Sequence, residues 1–352
     1  MGVFLMQWIG STYSPIGLDC GSRFIKAAQI QYTRGKPRVC ATASIQRMSE
    51  QLDVAEVNRI SDVLYRQGFV GTRIAMAVPP AKILTSILEL PPRTTNSPFD
   101  QLARVEFARH QKCEPNTFEM SWWELPHASR VAKTTSVMAV GCRYTDADAI
   151  LDPFDAVGLD VLKLDSSSVA TARACSNVLA RQGGISAILD LGWRSASLVI
   201  LHDQTIVYDR PLGEAGIEQL YKDLSSSLGV KFDVIDVLIS QQTKLSSEND
   251  GDMQAQREIT RAIDNHFAML LKDLELSFSY AANQYASTNI DRLLLMGGGA
   301  SIPGLVKNWS ENLGMKVEIV HLADLMPCVK GMASSERSSM TTALGLAMGG
   351  TA

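Results

Sequence analysis

The segment Ile16-Gly17-Leu18-Asp19-Cys20-Gly21-Ser22-Arg23-Phe24-Ile25-Lys26 sets an aspartate at the end of a short apolar run, a glycine two residues on, and a second apolar run beyond it. Ile16–Leu18 reads as a strand and Phe24–Ile30 as its return, because Asp, Gly and Ser mark the turn between them. One D-x-G turn says little, since these are among the commonest turn residues. Its position says more. Shifted by 171 residues, close to half the chain, Leu18, Asp19, Gly21 and Arg23 fall on Leu189, Asp190, Gly192 and Arg194, and Ile30 falls on Leu201. There too an apolar strand, Ala187–Leu189, enters the turn and another, Ser197–Leu201, leaves it. A repeat at this offset predicts two related α/β lobes facing each other.

The chemistry of such turns is that of phosphate. Glycine lets a phosphate approach the backbone with no Cβ in the way, and successive amide N–H groups form a concave anion site. Asp19 and Asp190, each at a strand end, would hold a hydrated Mg²⁺ against the phosphates. Gly21, Ser22, Arg23 and Gly192 make up the turns. Lys26 shares a strand face with Phe24 and would add a point charge at the phosphates; on its own it would read as a solvated strand residue. A third glycine cluster follows a buried strand in Leu293-Leu294-Leu295-Met296-Gly297-Gly298-Gly299-Ala300-Ser301-Ile302-Pro303-Gly304, with Pro303 near the start of a helix. Gly297, Gly298 and Gly299 would let a flat base and its α-phosphate lie on the backbone. The chain contains no G-x-x-x-x-G-K-[ST] loop, and no G-x-G-x-x-G in a strand–helix setting.

Further out, Val54–Gln67 has helical spacing and is stopped by Gly68; Ile74–Val78 is a buried strand; Ile83–Leu90 is extended and ends at Pro91-Pro92. The polar stretch Arg93–Pro98 is an internal boundary. Phe99–Gln111 reads as a helix, Phe118–Glu124 and Thr134–Cys142 as strands, and Asp146–Val157 as a helix, together an inserted unit of about fifty residues. Trp122 and Trp123, at adjacent strand positions, face opposite ways. Val161–Leu164 is a strand and Ser168–Arg181 a helix, with a break at Gly183-Gly184. In the second half Ala215–Leu228 is helical and Leu245–Gly251 a polar loop. The long tract Ala255–Tyr285 carries a core stripe at Ile263, Phe267, Leu270, Leu271, Leu274 and Phe278. Val317–Val320 is a strand and Thr341–Gly349 a small-residue helix.

Composition closes off several classes. With 352 residues, 46% hydrophobic and 20% charged, the chain is long and apolar enough to bury a large core, so bulk disorder is excluded. A net charge of −4 provides no basic groove for nucleic acid and no polybasic membrane patch. Cysteines at 20, 40, 113, 142, 175 and 328 show no C-x-x-C spacing, and the five histidines are not paired at metal-ligand spacing. Reduced thiols in a cytosolic protein are expected. Met1–Gly10 is apolar but short, without a basic region, and is expected to be an arm packed on the domain and not a signal peptide or membrane helix.

Taken together, these motifs resemble those of the actin-like ATPase superfamily: residues 16–26 its first phosphate motif, 188–201 its second, and 293–305 its adenosine motif. The resemblance implies an α/β, duplicated actin-like (ribonuclease-H-like) two-lobe fold with a small subdomain inserted in the first lobe. In that scheme residues 1–91 and 149–184 form subdomain 1A and 92–148 the insert, subdomain 1C. Residues 185–214 and 291–316 form 2A, 215–290 form 2B, and 317–352 return to 1A. The cofactors implied are ATP and Mg. Within the superfamily the chain is most similar to the PilM family of type IV pilus assembly, through its length, the insert, residues 155–174 and the ending at 341–350. That likeness implies a bacterial cytoplasmic adaptor at the inner face of the inner membrane. Such an adaptor captures the short cytoplasmic tail of an inner-membrane pilus assembly protein resembling PilN, with further pilus proteins as possible partners, no nucleic acid, and membrane contact only through the partner.

The chain departs from the superfamily pattern at three places. Trp193 stands where a small residue is usual, and would either crowd the phosphates or pack outward. Glu214 replaces the second glycine of a G-G pair, and the A-E-x-x-K segment near the ribose has no lysine here (Val234–Ile239). Asp165 is the one candidate for polarising a water, against its simpler reading as a helix cap with Ser166–Ser168. Slow hydrolysis at most is expected, with nucleotide acting as a latch. An FtsA-like filament protein and a small-molecule kinase of the same superfamily are the alternatives. The first is disfavoured by an ending, Ser334–Ala352, without a basic amphipathic face, and the second by the lack of a clear catalytic aspartate.

Overall fold

The structure, a computed structural model, describes residues 12–93, 98–126, 134–179, 184–213, 215–241, 250–285, 290–332 and 337–350. The expected N-terminal arm, Glu214, Gly183 and most of the polar loop at 245–251 lie outside the described residues. Along the chain run β1 (Thr12–Tyr13), β2 (Ile16–Cys20), β3 (Phe24–Thr33), β4 (Lys36–Gln46), α1 (Val54–Arg66), β5 (Arg73–Ala77) and β6 (Ile83–Leu90). Next come α2 (Phe99–Gln111), β7 (Phe118–Glu124), β8 (Thr135–Arg143), α3 (Tyr144–Asp155), β9 (Asp160–Asp165) and α4 (Ser167–Leu179). The second half holds β10 (Ile185–Leu191), β11 (Ala196–His202), β12 (Thr205–Leu212), α5 (Ile217–Leu228), α6 (Phe232–Gln241), α7 (Asp250–Gln284) and β13 (Ile290–Met296). It closes with α8 (Leu305–Leu313), β14 (Lys316–Ile319), α9 (Leu322–Leu325) and α10 (Thr341–Gly349).

The chain forms two compact units. The first comprises the residues up to Val78, Ala147–Cys175, and those from His321 onward. Its six-stranded sheet runs β1-β3-β2-β5-β9, with β4 also on β3. The β2–β3 hairpin is antiparallel with Asp19 opposite Lys26, and β2 then pairs in parallel with β5. Strand β2 is buried at Ile16, Gly17 and Leu18 because α10 covers it: a Cβ on Gly17 would lie 2.0 Å from the Ala343 carbonyl oxygen. Helix α10 approaches α4 as closely, since a Cβ on Gly345 would lie 1.8 Å from the Ala170 oxygen. Small residues here let backbones meet. Helix α1 starts at Asp53, whose side chain accepts the Glu56 amide proton, and it buries Val57, Ile60 and Leu64 at the spacing read from the sequence.

The second unit comprises Pro79–Asp146 and Ser176–Val320. Its five-stranded sheet has the order β12-β11-β10-β13-β14, and β10 pairs antiparallel with β11 and parallel with β13. Helix α7 buries Ile263, Phe267, Leu270, Leu274 and Phe278, the expected stripe without Leu271. A separate three-stranded sheet, β6-β8-β7, carries α2 on a core of Leu88, Phe107, Phe118 and Val137. Strand β6 pairs with β8 along its whole length, so the small sheet begins upstream of Pro92, where the insert was expected to start. Trp122 packs against this core. Trp123 donates its indole Nε1–H to the Ile206 oxygen of β12 at 2.8 Å.

Candidate functional site

In the first unit the turn Gly21-Ser22-Arg23 joins β2 to β3. Asp19 and Lys26 are register partners on neighbouring strands, and Lys26 Nζ lies 3.4 Å from Asp19 Oδ2, both side chains mostly covered. A cation thus already stands beside the carboxylate that was expected to face a hydrated metal. Gly21 is tightly placed: a Cβ there would lie 2.7 Å from the Phe24 oxygen and 3.4 Å from Lys26 Nζ. The turn is braced by Arg47, the residue that follows β4. The Arg47 amide donates to the Arg23 oxygen at 3.0 Å, and Arg47 Nη1 lies 3.4 Å from the Gly21 oxygen. Burial, reinforced by the Asp19 charge, pushes the Cys20 thiol up to about 12, which favours the thiol over the thiolate.

In the second unit Asp190 sits opposite Ser197 on β11 and beside Met296 on β13. That parallel pairing brings the three glycines to the second turn. Gly297 has φ +85°, and a Cβ on it would lie 2.2 Å from Asp190 Oδ1 and 2.6 Å from the Leu191 oxygen. Gly299 is wedged between Leu191 and Ile217, whereas a Cβ at Gly298 would stand in open space. Gly192 follows the pattern of Gly21, with a Cβ position 2.6 Å from the Ser195 oxygen. Asp190, Gly192, Gly297, Gly298 and Gly299 are therefore one cluster within the second unit. Asp19, Gly21, Ser22, Arg23 and Lys26 are another within the first.

Helix α5 backs the second turn. The Ile217 amide donates to the Gly192 oxygen at 3.1 Å and the Glu218 amide to the Trp193 oxygen at 2.8 Å. Gly216 permits this, because a Cβ there would lie 2.2 Å from the Arg194 carbonyl carbon. The Ala215-Gly216 pair before the helix was the signal available for it, and the sequence reading passed over it. The Trp193 indole packs edge-on against Tyr221 at 4.9 Å and Phe232 at 5.7 Å, between α5 and α6. The same α6 occupies the stretch where the ribose-region lysine was sought.

Asp165 ends β9 beside α4. Its Oδ2 receives Arg173 at 2.9 Å and lies 3.2 Å from Lys163, while its Oδ1 accepts the Ser166 amide at 2.9 Å. Arg173 also donates to the Gly345 oxygen at 2.8 Å, so this carboxylate anchors a clasp on α10. Among the described residues no group of three or more His, Cys, Asp or Glu side chains could hold a metal ion. A metal at either aspartate would accordingly need water and phosphate as its other ligands.

A family model described as type IV pilus assembly protein PilM matches residues 17–351. Among solved structures, a PilM–PilN type IV pilus biogenesis complex is similar over 96% of this chain and 98% of that one, at 19% identity and TM-score 0.77. The ethanolamine utilization protein EutJ from Carboxydothermus hydrogenoformans is similar over 96% of this chain and 89% of its own, at 17% identity and TM-score 0.53. MreB 5 of Spiroplasma citri, solved with AMPPNP, is similar over 95% and 94%, at 12% identity and TM-score 0.51. No curated protein matches the chain. At these identities the structures establish the actin-like fold, and no helix among the described residues is long and apolar enough to cross a membrane.

Proposed function

The chain belongs to the PilM family of type IV pilus assembly proteins, and from that premise we propose that it is a nucleotide-loaded cytoplasmic adaptor. It captures the short cytoplasmic tail of an inner-membrane protein resembling PilN, and so sits at the inner face of that membrane. The observation that carries this reading is the pair of D-x-G hairpin turns, one in each unit, in a chain similar over nearly its full length to a PilM–PilN complex. Each turn, within its own unit, is built to hold the phosphates of Mg-ATP. Asp19 and Asp190 orient waters of the Mg²⁺, and Lys26 turns from Asp19 to the phosphates as a point charge. The amides around Gly21 and Gly192 receive phosphate oxygens. Gly297, Gly298 and Gly299 leave a bare backbone for the base side of the nucleotide.

Hydrolysis is slow or absent in this reading. Asp165, the one residue considered for polarising a water, is engaged by Arg173, Lys163 and the Ser166 amide, so the bound nucleotide sets conformation instead of turning over. Two measurements test the proposal. Calorimetry should find Mg-ATP binding that weakens about tenfold or more in Asp19→Ala and in Asp190→Ala, the scale of losing charge-assisted contacts. Affinity purification from the native cell should recover an inner-membrane pilus protein. An absence of ATP binding by the unmodified chain defeats the nucleotide part, and recovery of no such membrane protein defeats the adaptor part.

A further inference from the structure

The chain as a whole is acidic, but its charge is unevenly spread. Between Asp19 and Glu50 there are basic residues and no acidic one, and from Met1 to Leu18 there is no charged side chain. The register of the first sheet brings these two features together. Strand β2 pairs with β3 from Cys20–Ile25 to Gly17–Ala28, whereas the β3–β4 hairpin continues to Thr33 opposite Lys36. The hairpin therefore runs on past that pairing by about 15 Å. Its turn, Arg34-Gly35, has φ +52° and +73°, the two-residue form that matches strand twist. Arg34, Lys36 and Arg38 are exposed there, and none of them forms an ion pair among the described residues.

Strand β1 lies along this extension, antiparallel to β3, with Thr12 opposite Tyr32 and Tyr13 opposite Gln31. Followed backwards from Thr12, the chain heads toward Thr33 and Arg34, so it enters the sheet from the side of the basic turn. Side chains tie β1 to that turn. Gln31 donates its Nε2–H to the Tyr13 hydroxyl at 3.0 Å, and Arg38 donates to Gln31 Oε1 at 2.6 and 3.0 Å. Val70, 47% exposed, is fixed at the same end by its amide, which donates to Gln29 Oε1 at 2.9 Å. Asp160 stands beside Arg73 on β9, so Arg73 is not counted with the three cations of the turn. The residues that feed β1 include Val3, Phe4, Leu5, Met6, Trp8 and Ile9.

We infer that this end of the first unit binds an anionic lipid surface directly, with Arg34, Lys36 and Arg38 on the headgroups and Phe4, Leu5 and Trp8 in the interface. A short apolar segment holds a bilayer weakly by itself, and so does a small basic cluster. Together they supply the two signals that stable peripheral attachment needs. Cations near an anionic leaflet each add to the attraction, and Phe, Leu and Trp side chains settle at the boundary between headgroups and acyl chains. This contact is separate from the capture of a membrane protein's tail. It replaces two expectations from the sequence, an arm packed on the domain and a membrane met through the partner alone. A chain held by both contacts is held more tightly than by either, because the second forms at high effective concentration.

The test uses the whole purified chain and protein-free vesicles, one set of about one-third phosphatidylglycerol in phosphatidylcholine and one of phosphatidylcholine alone. The chain should sediment with the anionic vesicles, and high salt should release it. The Arg34→Gln/Lys36→Gln/Arg38→Gln triple variant should bind about tenfold or more weakly while melting close to the unmodified chain, since all three side chains are exposed. Phe4→Ser/Trp8→Ser should also weaken binding. Brominated lipid in the anionic vesicles should quench tryptophan emission in the unmodified chain and not in Trp8→Phe. No sedimentation with anionic vesicles, equal binding to neutral ones, or equal binding by the triple variant overturns the proposal. Quenching that persists in Trp8→Phe overturns the part given to Phe4, Leu5 and Trp8. Retention on heparin without vesicle binding makes the turn a general polyanion surface and overturns the lipid assignment. The vesicles carry no protein, so failure here leaves the capture of a partner's tail standing.

Discussion

At Gly297 a single missing Cβ decides whether β10 and β13 can end side by side. The residue has a positive φ, and its Cβ position falls on the Asp190 carboxylate. Gly297→Ala must therefore pay for both a strained backbone and a displaced aspartate. A loss of about 2 kcal/mol or more is expected in denaturant unfolding, whereas Gly298→Ala, which meets nothing, should unfold within about 0.5 kcal/mol of the unmodified protein. Glu56 supplies a residue-scale prediction in pH. Its side chain is almost fully covered, and hydrogen bonding from Arg59 holds its carboxyl below the usual range of 4.5. A depressed folded-state pKa contributes stability that is present above the unfolded value and is lost as pH falls through the folded one. The urea midpoint should accordingly drop as the pH is lowered below about 4.5, and Glu56→Gln should show a shallower drop. Equal slopes for the two proteins would exclude Glu56 as a contributor.

At the scale of elements, α10 is the part most dependent on small residues. It is buried from Thr341 to Ala347, lies on β2 through Gly17, and meets α4 through Gly345. Its last carbonyls are held by Arg173 at Gly345 and by Lys163 at Gly349, favourable charges at a helix C-terminus. Gly345→Ala puts a methyl group onto the Ala170 backbone, which cannot yield as a flexible side chain does. Destabilisation of about 2–3 kcal/mol is expected, read as a lower melting temperature by circular dichroism. A melting temperature equal to that of the unmodified chain would mean that α10 does not pack this closely in solution.

Three elements show where local sequence is a poor guide. Strand β4 buries Val39, Ala41, Ala43 and Ile45 in strict alternation, but alanines give so weak a period-two signal that the strand went unread. Strand β12 carries Asp209-Arg210-Pro211 just before its last residue, Leu212; this looks like a loop and is tolerated because β12 is a sheet edge. Helix α6 is a short, mostly apolar run that periodicity alone does not separate from a strand.

For the whole molecule, the small sheet β6-β8-β7 belongs to the same compact unit as the five-stranded sheet, with Trp123 bonded to Ile206 of β12. Replacing Pro79–Asp146 by a short flexible linker should leave the five-stranded sheet folded and abolish co-purification of the inner-membrane partner. Undiminished recovery of that partner would assign capture to other surfaces.

The two hairpin turns, the three-glycine turn and the terminal small-residue helix were legible in the amino-acid sequence by itself, because turn chemistry and apolar periodicity act over a few neighbouring residues. From those alone came the duplicated α/β architecture and the two aspartates at strand ends. Tertiary structure alone decided that Gly297 lies on Asp190, that Trp193 packs on Tyr221 and Phe232, that Asp165 clasps α10, and that the start of α5 bonds the Gly192 turn. Each of these contacts joins segments that the local code does not relate. Parallel pairing and helix packing are selected by total apolar burial and backbone clearance, which exist only once the distant segments have met.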